Sequence, residues 1–162
     1  SAVVANSFSK YFAMTGWRLG WLLVPEELRR AVDCLTGNFT ICPPVLSQIA
    51  AVAAFTPEAI AEADGHLRHY GANRERLLTG LREIGIDRIA PPDGAFYVYA
   101  DVSAFTDDSM AFGARLLAET GLAVAPGIDF DTRDGNRFIR LSFAGPAADI
   151  DEALRRLGPW LP

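Results

Sequence analysis

The strongest constraint on the fold is a long, mostly helical stretch from about Val45 to Ile84, with short apolar segments on either side of it. Thr56-Pro57 interrupts this stretch, Gly71 is a second candidate break, and Pro57 is placed to start a new helix. Upstream, Ala2-Val3-Val4-Ala5 reads as a short buried strand and Trp17 to Val24 as a second. Pro25 then opens a helix through about Leu35, which Gly37 ends. Downstream, the pattern predicts strand at 96–101, helix at 108–119, short strand at 122–125, strand at 137–143 and helix at 147–158. Short strands exchanged with helices in this way make an α/β chain.

Half of the residues are apolar, enough for a real core, and the net charge of −5 is mild. The arginines are dispersed rather than clustered, so the chain carries no nucleic-acid footprint and no such partner is expected. No apolar run approaches the ~18 residues of a membrane helix. Ser1-Ala2-Val3-Val4-Ala5 also lacks the basic region of a signal peptide, so the expected location is the cytoplasm. Cys34 and Cys42 do not have a metal-type spacing and read as buried reduced thiols. His66 and His69 share a helical face, but with Glu62 and Arg68 beside them they read as solvated surface, and no metal is expected. Trp17, Trp21 and Trp160 read as packing residues.

The single lysine, Lys10, stands between Ser9 and Tyr11, a few residues from Gly16 and Arg18. A lysine amine condenses with a carbonyl to form a Schiff base, which an always-protonated guanidinium does not do. Pyridoxal phosphate is an aldehyde cofactor that uses this linkage. Its phosphate dianion needs hydrogen-bond donors and a fixed positive charge, and Ser7, Ser9 and Arg18 are groups of that kind. Far downstream, Asn136-Arg137-Phe138-Ile139-Arg140-Leu141-Ser142-Phe143-Ala144 alternates with the period of a half-buried strand. That period points Arg140 to a defined face and puts Arg137, at the strand entrance, on the opposite face in solvent.

The run Ser7-Phe8-Ser9-Lys10 with its Met14-Thr15-Gly16-Trp17-Arg18-Leu19-Gly20 continuation resembles the cofactor-lysine segment of fold-type I aminotransferases of the aspartate aminotransferase class. The resemblance implies pyridoxal 5'-phosphate as cofactor, Lys10 as the catalytic and Schiff-base residue, and Ser7 and Arg18 as phosphate ligands, with Ser9 a further contributor. Arg140 matches the arginine that grips the substrate α-carboxylate, a task suited to a planar fork. Pro92-Asp93-Gly94-Ala95-Phe96-Tyr97 resembles a strand start near the active-site mouth, which places Gly94 and Phe96 near substrate. Val124-Ala125-Pro126-Gly127 also fits the family. Its usual Ser/Thr-x-Phe-Gly continuation, however, is replaced by Ile128-Asp129-Phe130-Asp131, a departure that bears on substrate choice.

Carried through the whole chain, the resemblance implies the C-terminal half of a longer enzyme. Residues 1–78 would be the C-terminal part of the large cofactor-binding domain with a long interdomain helix, and residues 79–162 an α/β small domain of the aspartate aminotransferase type. The implied reaction moves an amino group between an amino acid and a 2-oxo acid. The implied assembly is a homodimer with shared active sites, toward which Asn38 and Thr40 are candidates to reach. Two alternatives stay open: another fold-type I enzyme, such as a carbon–sulfur lyase or a cyclopropane-forming synthase, and the aminotransferase-like sensor domain of a transcription regulator.

Overall fold

Gly20 decides how the first two strands meet. β1 (Val4–Ser7) and β2 (Gly20–Leu23) pair antiparallel with Ser7 opposite Gly20. A Cβ at Gly20 would overlap the Asn6 carbonyl oxygen, so the register requires glycine there. The computed structural model describes residues 1–162 and divides into two compact units, Ser1–Arg68 and His69–Pro162. No helix in it is long and apolar enough to cross a membrane.

The first unit holds the strand pair, α1 (Glu26–Phe39), α2 (Val45–Ala53) and the start of α3 (Pro57–Glu83). Several expectations are corrected here. β1 is exposed rather than buried, since Val4, Leu22 and Leu23 find no cover among the residues of this chain. The second strand begins at Gly20 and not Trp17, because Thr15–Trp17 close a 3-10 turn and Arg18 adopts a left-handed conformation (φ 52°, ψ 48°) that no strand tolerates. Gly37 does not end α1. A glycine inside a helix costs only ~1 kcal/mol, and the helix stops instead where the Thr40 and Ile41 N–H groups both donate to the Thr36 carbonyl, at 3.0 and 2.8 Å, as Ile41 turns to φ 62°. Cys34 and Cys42 are exposed, since α1 buries none of its residues and Cys42 follows in the loop. The break at Thr56-Pro57 is present, with Thr56 Oγ1 accepting from the Ala59 N–H at 3.3 Å, but Gly71 lies within an uninterrupted α3. The unit's small core is Phe8, Met14 and Ala51, flanked by an aromatic group in which Phe8 meets Trp21 and Phe55 edge-on and Phe12 at a tilt.

The second unit is built on β3 (Tyr97–Asp101), β5 (Phe138–Ser142) and the short β4 (Ala125–Pro126), in the spatial order β3-β5-β4 and antiparallel throughout. Ile89 bridges to Ala100 and extends the outer edge of β3. α4 (Ser109–Thr120) starts on Asp108, whose carboxylate accepts from the Met110 and Ala111 N–H groups, and ends at Gly121 with φ 76°. α5 (Ala147–Trp160) closes the chain. The alternation of β3 and β5 buries Val98, Ala100 and Ile139 against Leu77, Leu81, Leu116, Ile150 and Leu157. Asn73 is 1% exposed, and its amide donates to the Phe143 and Gly145 carbonyls at 3.0 and 2.8 Å. This pins α3 to the chain leaving β5. Asn73, Leu77 and Leu78 of α3 are buried within the second compact unit.

Candidate functional site

Lys10 stands on the loop between β1 and β2, and its side chain is exposed. The strand ladder continues one step into this loop, through a Phe8 N–H donating to the Leu19 carbonyl at 3.1 Å, so residues 7–9 run alongside 18–20. The loop then folds back on itself. Met14 N–H donates to the Phe8 carbonyl at 3.2 Å, Ala13 N–H to the Lys10 carbonyl at 3.0 Å, and Thr15 Oγ1 to the Ser9 carbonyl at 2.6 Å. Phe8 and Met14 are buried beneath it, anchoring a segment whose polar residues stay outside. Tyr11 Oη donates to Asp64 Oδ1 of α3 at 2.8 Å, tying the residue after Lys10 to a rigid element. That bond, followed by partial desolvation, raises the Tyr11 pKa.

Ser7 Oγ donates to Ser9 Oγ at 2.9 Å and accepts from the Ser9 N–H at 3.0 Å, so the two hydroxyls face each other beside Lys10. Arg18 Nη1 donates to the Thr15 carbonyl at 3.1 Å, and no carboxylate pairs with the guanidinium. Two hydroxyls and an arginine without a paired acid form a donor set that suits a phosphate dianion. A primary amine stands in the same loop, so the residues present fit pyridoxal phosphate.

In the second unit, Arg140 is central on β5, opposite Tyr99 of β3 and Ala125 of β4. Tyr97, Tyr99, Phe138 and Arg140 share the sheet face turned away from the core, since Val98, Ala100 and Ile139 occupy the other. Tyr99 stacks on Phe138 with ring centres 4.7 Å apart and planes 5° apart. Burial, and then the charges of Asp131 and Asp134, raise the Tyr99 pKa. Arg140 Cζ lies 4.2 Å from the Tyr97 ring centre and 4.1 Å from that of Phe130. The Arg140 guanidinium makes no ion pair and no hydrogen bond to the protein, so its N–H groups are open to a ligand.

The remaining candidates are placed as follows. Gly94 lies in an exposed bend, ahead of Ala95 at φ 58°. Phe96 is half-buried against the second core, with its ring 6.4 Å from Tyr70, and its carbonyl accepts from the Phe143 N–H at 3.0 Å. It is the next residue, Tyr97, that the structure brings to Arg140. The parity of β3 read outward from Val98 is the signal that would have found it. Phe130 stands at the phenylalanine position of the Ser/Thr-x-Phe-Gly continuation, which was the signal in the sequence that marked it. Arg137 is exposed as expected, but it sits in a 3-10 turn (Gly135–Arg137) outside the strand, so strand parity does not describe it. Asn38 and Thr40 are exposed and donate back to their own helix, to the Cys34 and Thr36 carbonyls at 2.6 and 3.0 Å. His66 and His69 are exposed, and no group of His, Cys, Asp and Glu is gathered that would hold a metal ion.

Residues 1–157 match the family described as aminotransferase class I and II. A valine–pyruvate aminotransferase of Mycobacterium tuberculosis is 76% identical over 162 residues, which is 100% of this chain and 42% of that protein. A (5-formylfuran-3-yl)methyl phosphate transaminase of Methanocaldococcus jannaschii is 33% identical over 98% of this chain and 42% of its own. The crystal structure of an aminotransferase from Mycobacterium tuberculosis superimposes with a TM-score of 0.98 at 77% identity, covering 99% of this chain and 42% of that one. The chain thus spans about 42% of the length of these relatives.

Proposed function

The chain belongs to the class I and II aminotransferases, and on that premise we propose that it is part of a pyridoxal-phosphate enzyme that moves an amino group between an amino acid and a 2-oxo acid. The observation that carries this reading is the loop that presents Lys10 beside two paired hydroxyls and the acid-free Arg18. When bound, pyridoxal phosphate supplies an aldehyde that condenses with amines and a ring that draws electrons from the substrate Cα. Ser7, Ser9 and Arg18 hold its phosphate. Lys10 would hold the aldehyde, and its amine would be the group placed to move the Cα proton. Arg140 takes the substrate α-carboxylate in the plane of its guanidinium and so orients the Cα–H bond. Gly94 and Phe96 border the substrate's approach.

The order of the motifs supports assigning the chain to the C-terminal half of the enzyme. Residues 1–78 would then complete a large cofactor domain and residues 79–162 form the small one. The partner is a second copy, with active sites shared across the dimer and Asn38 and Thr40 near that boundary, and the enzyme works in the cytoplasm. Valine and pyruvate are the first substrates to try, because the 76% identical relative bears their names. The relatives' shared description as aminotransferases favours transamination over the lyase, synthase and sensor alternatives. Borohydride reduction of the full-length, cofactor-loaded enzyme followed by peptide mass analysis tests the assignment. A reduced pyridoxyl adduct on Lys10 is expected, and an adduct elsewhere or none would end it. A single half-reaction with an amino acid should leave pyridoxamine phosphate and a 2-oxo acid, whereas a lyase would regenerate the aldehyde.

A further inference from the structure

Cations on an open sheet face ordinarily seek a carboxylate, and Arg140 has none. It is instead contacted by two aromatic rings, Tyr97 at 4.2 Å and Phe130 at 4.1 Å from Cζ. Tyr97 also rests against Phe96, with ring centres 4.3 Å apart, and both it and Phe130 lie over the guanidinium carbon. Rings attract a cation through their π faces and accept no strong hydrogen bond from it. Contacts of this kind restrict rotation of the guanidinium and leave its in-plane N–H groups free, the groups that a planar carboxylate needs.

The two rings are held in different ways. Tyr97 belongs to β3 and is fixed by strand pairing opposite Ser142. Phe130 comes from a loop that is closed on itself. The Phe130 and Asp131 N–H groups both donate to the Gly127 carbonyl at 2.9 Å, and Asp131 Oδ1 accepts from the Arg133 and Asp134 N–H groups at 2.9 and 3.2 Å. Gly127 and Gly135 pack so closely that a Cβ on Gly127 would stand 2.5 Å from the Gly135 carbonyl oxygen. Asp131 is the residue that stands where the family motif usually has glycine. Here its carboxylate ties down the turn that delivers Phe130.

We propose that Tyr97 and Phe130 are positioning residues that clamp the plane of Arg140 for in-plane capture of the substrate α-carboxylate, with the Asp131-closed loop setting the placement of Phe130. This rests on the reading of Arg140 as the carboxylate receptor. The clamp acts on everything that carries an α-carboxylate and on nothing that lacks one. It also depends on the aromatic quadrupole and not merely on bulk.

The test uses the full-length, cofactor-loaded enzyme and its F130L, F130Y and R140K variants. Calorimetric titration with a non-reacting 2-hydroxy acid measures carboxylate capture without turnover. F130L should weaken that affinity about tenfold, and F130Y should restore most of it, because the tyrosine ring keeps the cation–π contact. The kcat/KM ratio of an amino acid over a carboxylate-free alkylamine should fall by a similar factor in F130L, through KM rather than kcat. In the parent enzyme the Arg140 Nε–Hε resonance should carry a ring-current shift that is diminished in F130L, a readout independent of activity. An F130L affinity equal to that of F130Y and the parent would overturn the clamp. So would an equal loss on amino acid and alkylamine. If R140K leaves hydroxy-acid affinity unchanged, the carboxylate assignment itself fails; if R140K weakens it and F130L does not, only the clamp fails.

Discussion

Residues 1–68 and 69–162 solve the problem of burial in opposite ways. The second region closes around Leu81, Ile86, Val98, Leu116 and Ile139, all essentially inaccessible to solvent, and leaves few large apolar side chains outside. The first buries little beyond Phe8, Met14, Ala51 and Ala63, while Leu23, Phe39, Val45, Leu46, Ile49 and Val52 stand exposed. Apolar faces of that extent mark a surface that another surface covers. The contrast teaches that the larger core of the chain and its one lysine reside in different places. The region that carries Lys10 leaves wide apolar faces uncovered, and the region that carries Arg140 supplies its own core.

The largest effect expected from this division is chemical. In the full-length enzyme, Lys10→Ala should reduce transamination about 10³-fold or more. In the cofactor-free enzyme, thermal unfolding should move far less than it does for a core substitution, because the side chain is exposed and the loop is anchored by Phe8 and Met14. A large drop in melting temperature would break the separation. The converse is Leu81→Ala, which empties a fully buried site and should cost about 2–5 kcal/mol in denaturant unfolding of the second region. Asn73→Ala should cost less, about 1–3 kcal/mol, by removing the Asn73 donor from the Phe143 carbonyl and leaving the Gly145 carbonyl only its 3.3 Å contact with His69 Nε2. A loss as large as that of Leu81→Ala would mean that the polar tie, and not the apolar core, dominates.

Isolated residues 69–162 should unfold in one cooperative transition, and isolated residues 1–68 should show none. Two similar transitions would erase the contrast. The smallest effect concerns acid. Hydrogen bonds from Arg155 and then Arg156 hold the Glu152 pKa down from 4.5 to about 2. A carboxylate lowered on folding contributes stability above its unfolded value, and that contribution is lost as pH falls from 4.5 through about 2. Glu152→Gln should therefore flatten the acid limb of the second region slightly over that window, and an unchanged limb would show that the exposed cluster contributes nothing.

Local chemistry was legible in advance. The break at Thr56-Pro57, the start of α4 near Asp108 and the strand that carries Arg140 all follow from signals within a few residues of where they act. Glycine misled in α1 and α3, where Gly37 and Gly71 sit inside helices with nothing within 4 Å of an added Cβ. Whether a helix passes through a glycine depends on what its neighbours bury, and Leu77, Leu78 and Leu81 are buried downstream of Gly71. The thiols of Cys34 and Cys42 were expected inside because cysteine usually is. Apolar character alone does not supply the covering layer.

The candidate amine Lys10, the candidate hydroxyls and arginine on the same loop, and the candidate carboxylate fork Arg140 were proposed from the order of residues, because one lysine and short fixed spacings leave few arrangements of those groups. The surroundings of Arg140 were not. Tyr97 reaches it through strand register and Phe130 through a loop closed by Gly127, Asp131 and Gly135. Asn73 likewise meets Phe143 and Gly145 across 70 and 72 residues of chain. Such approaches depend on pairing and packing of segments that carry no mark of one another in sequence, so they become visible only once the chain has folded.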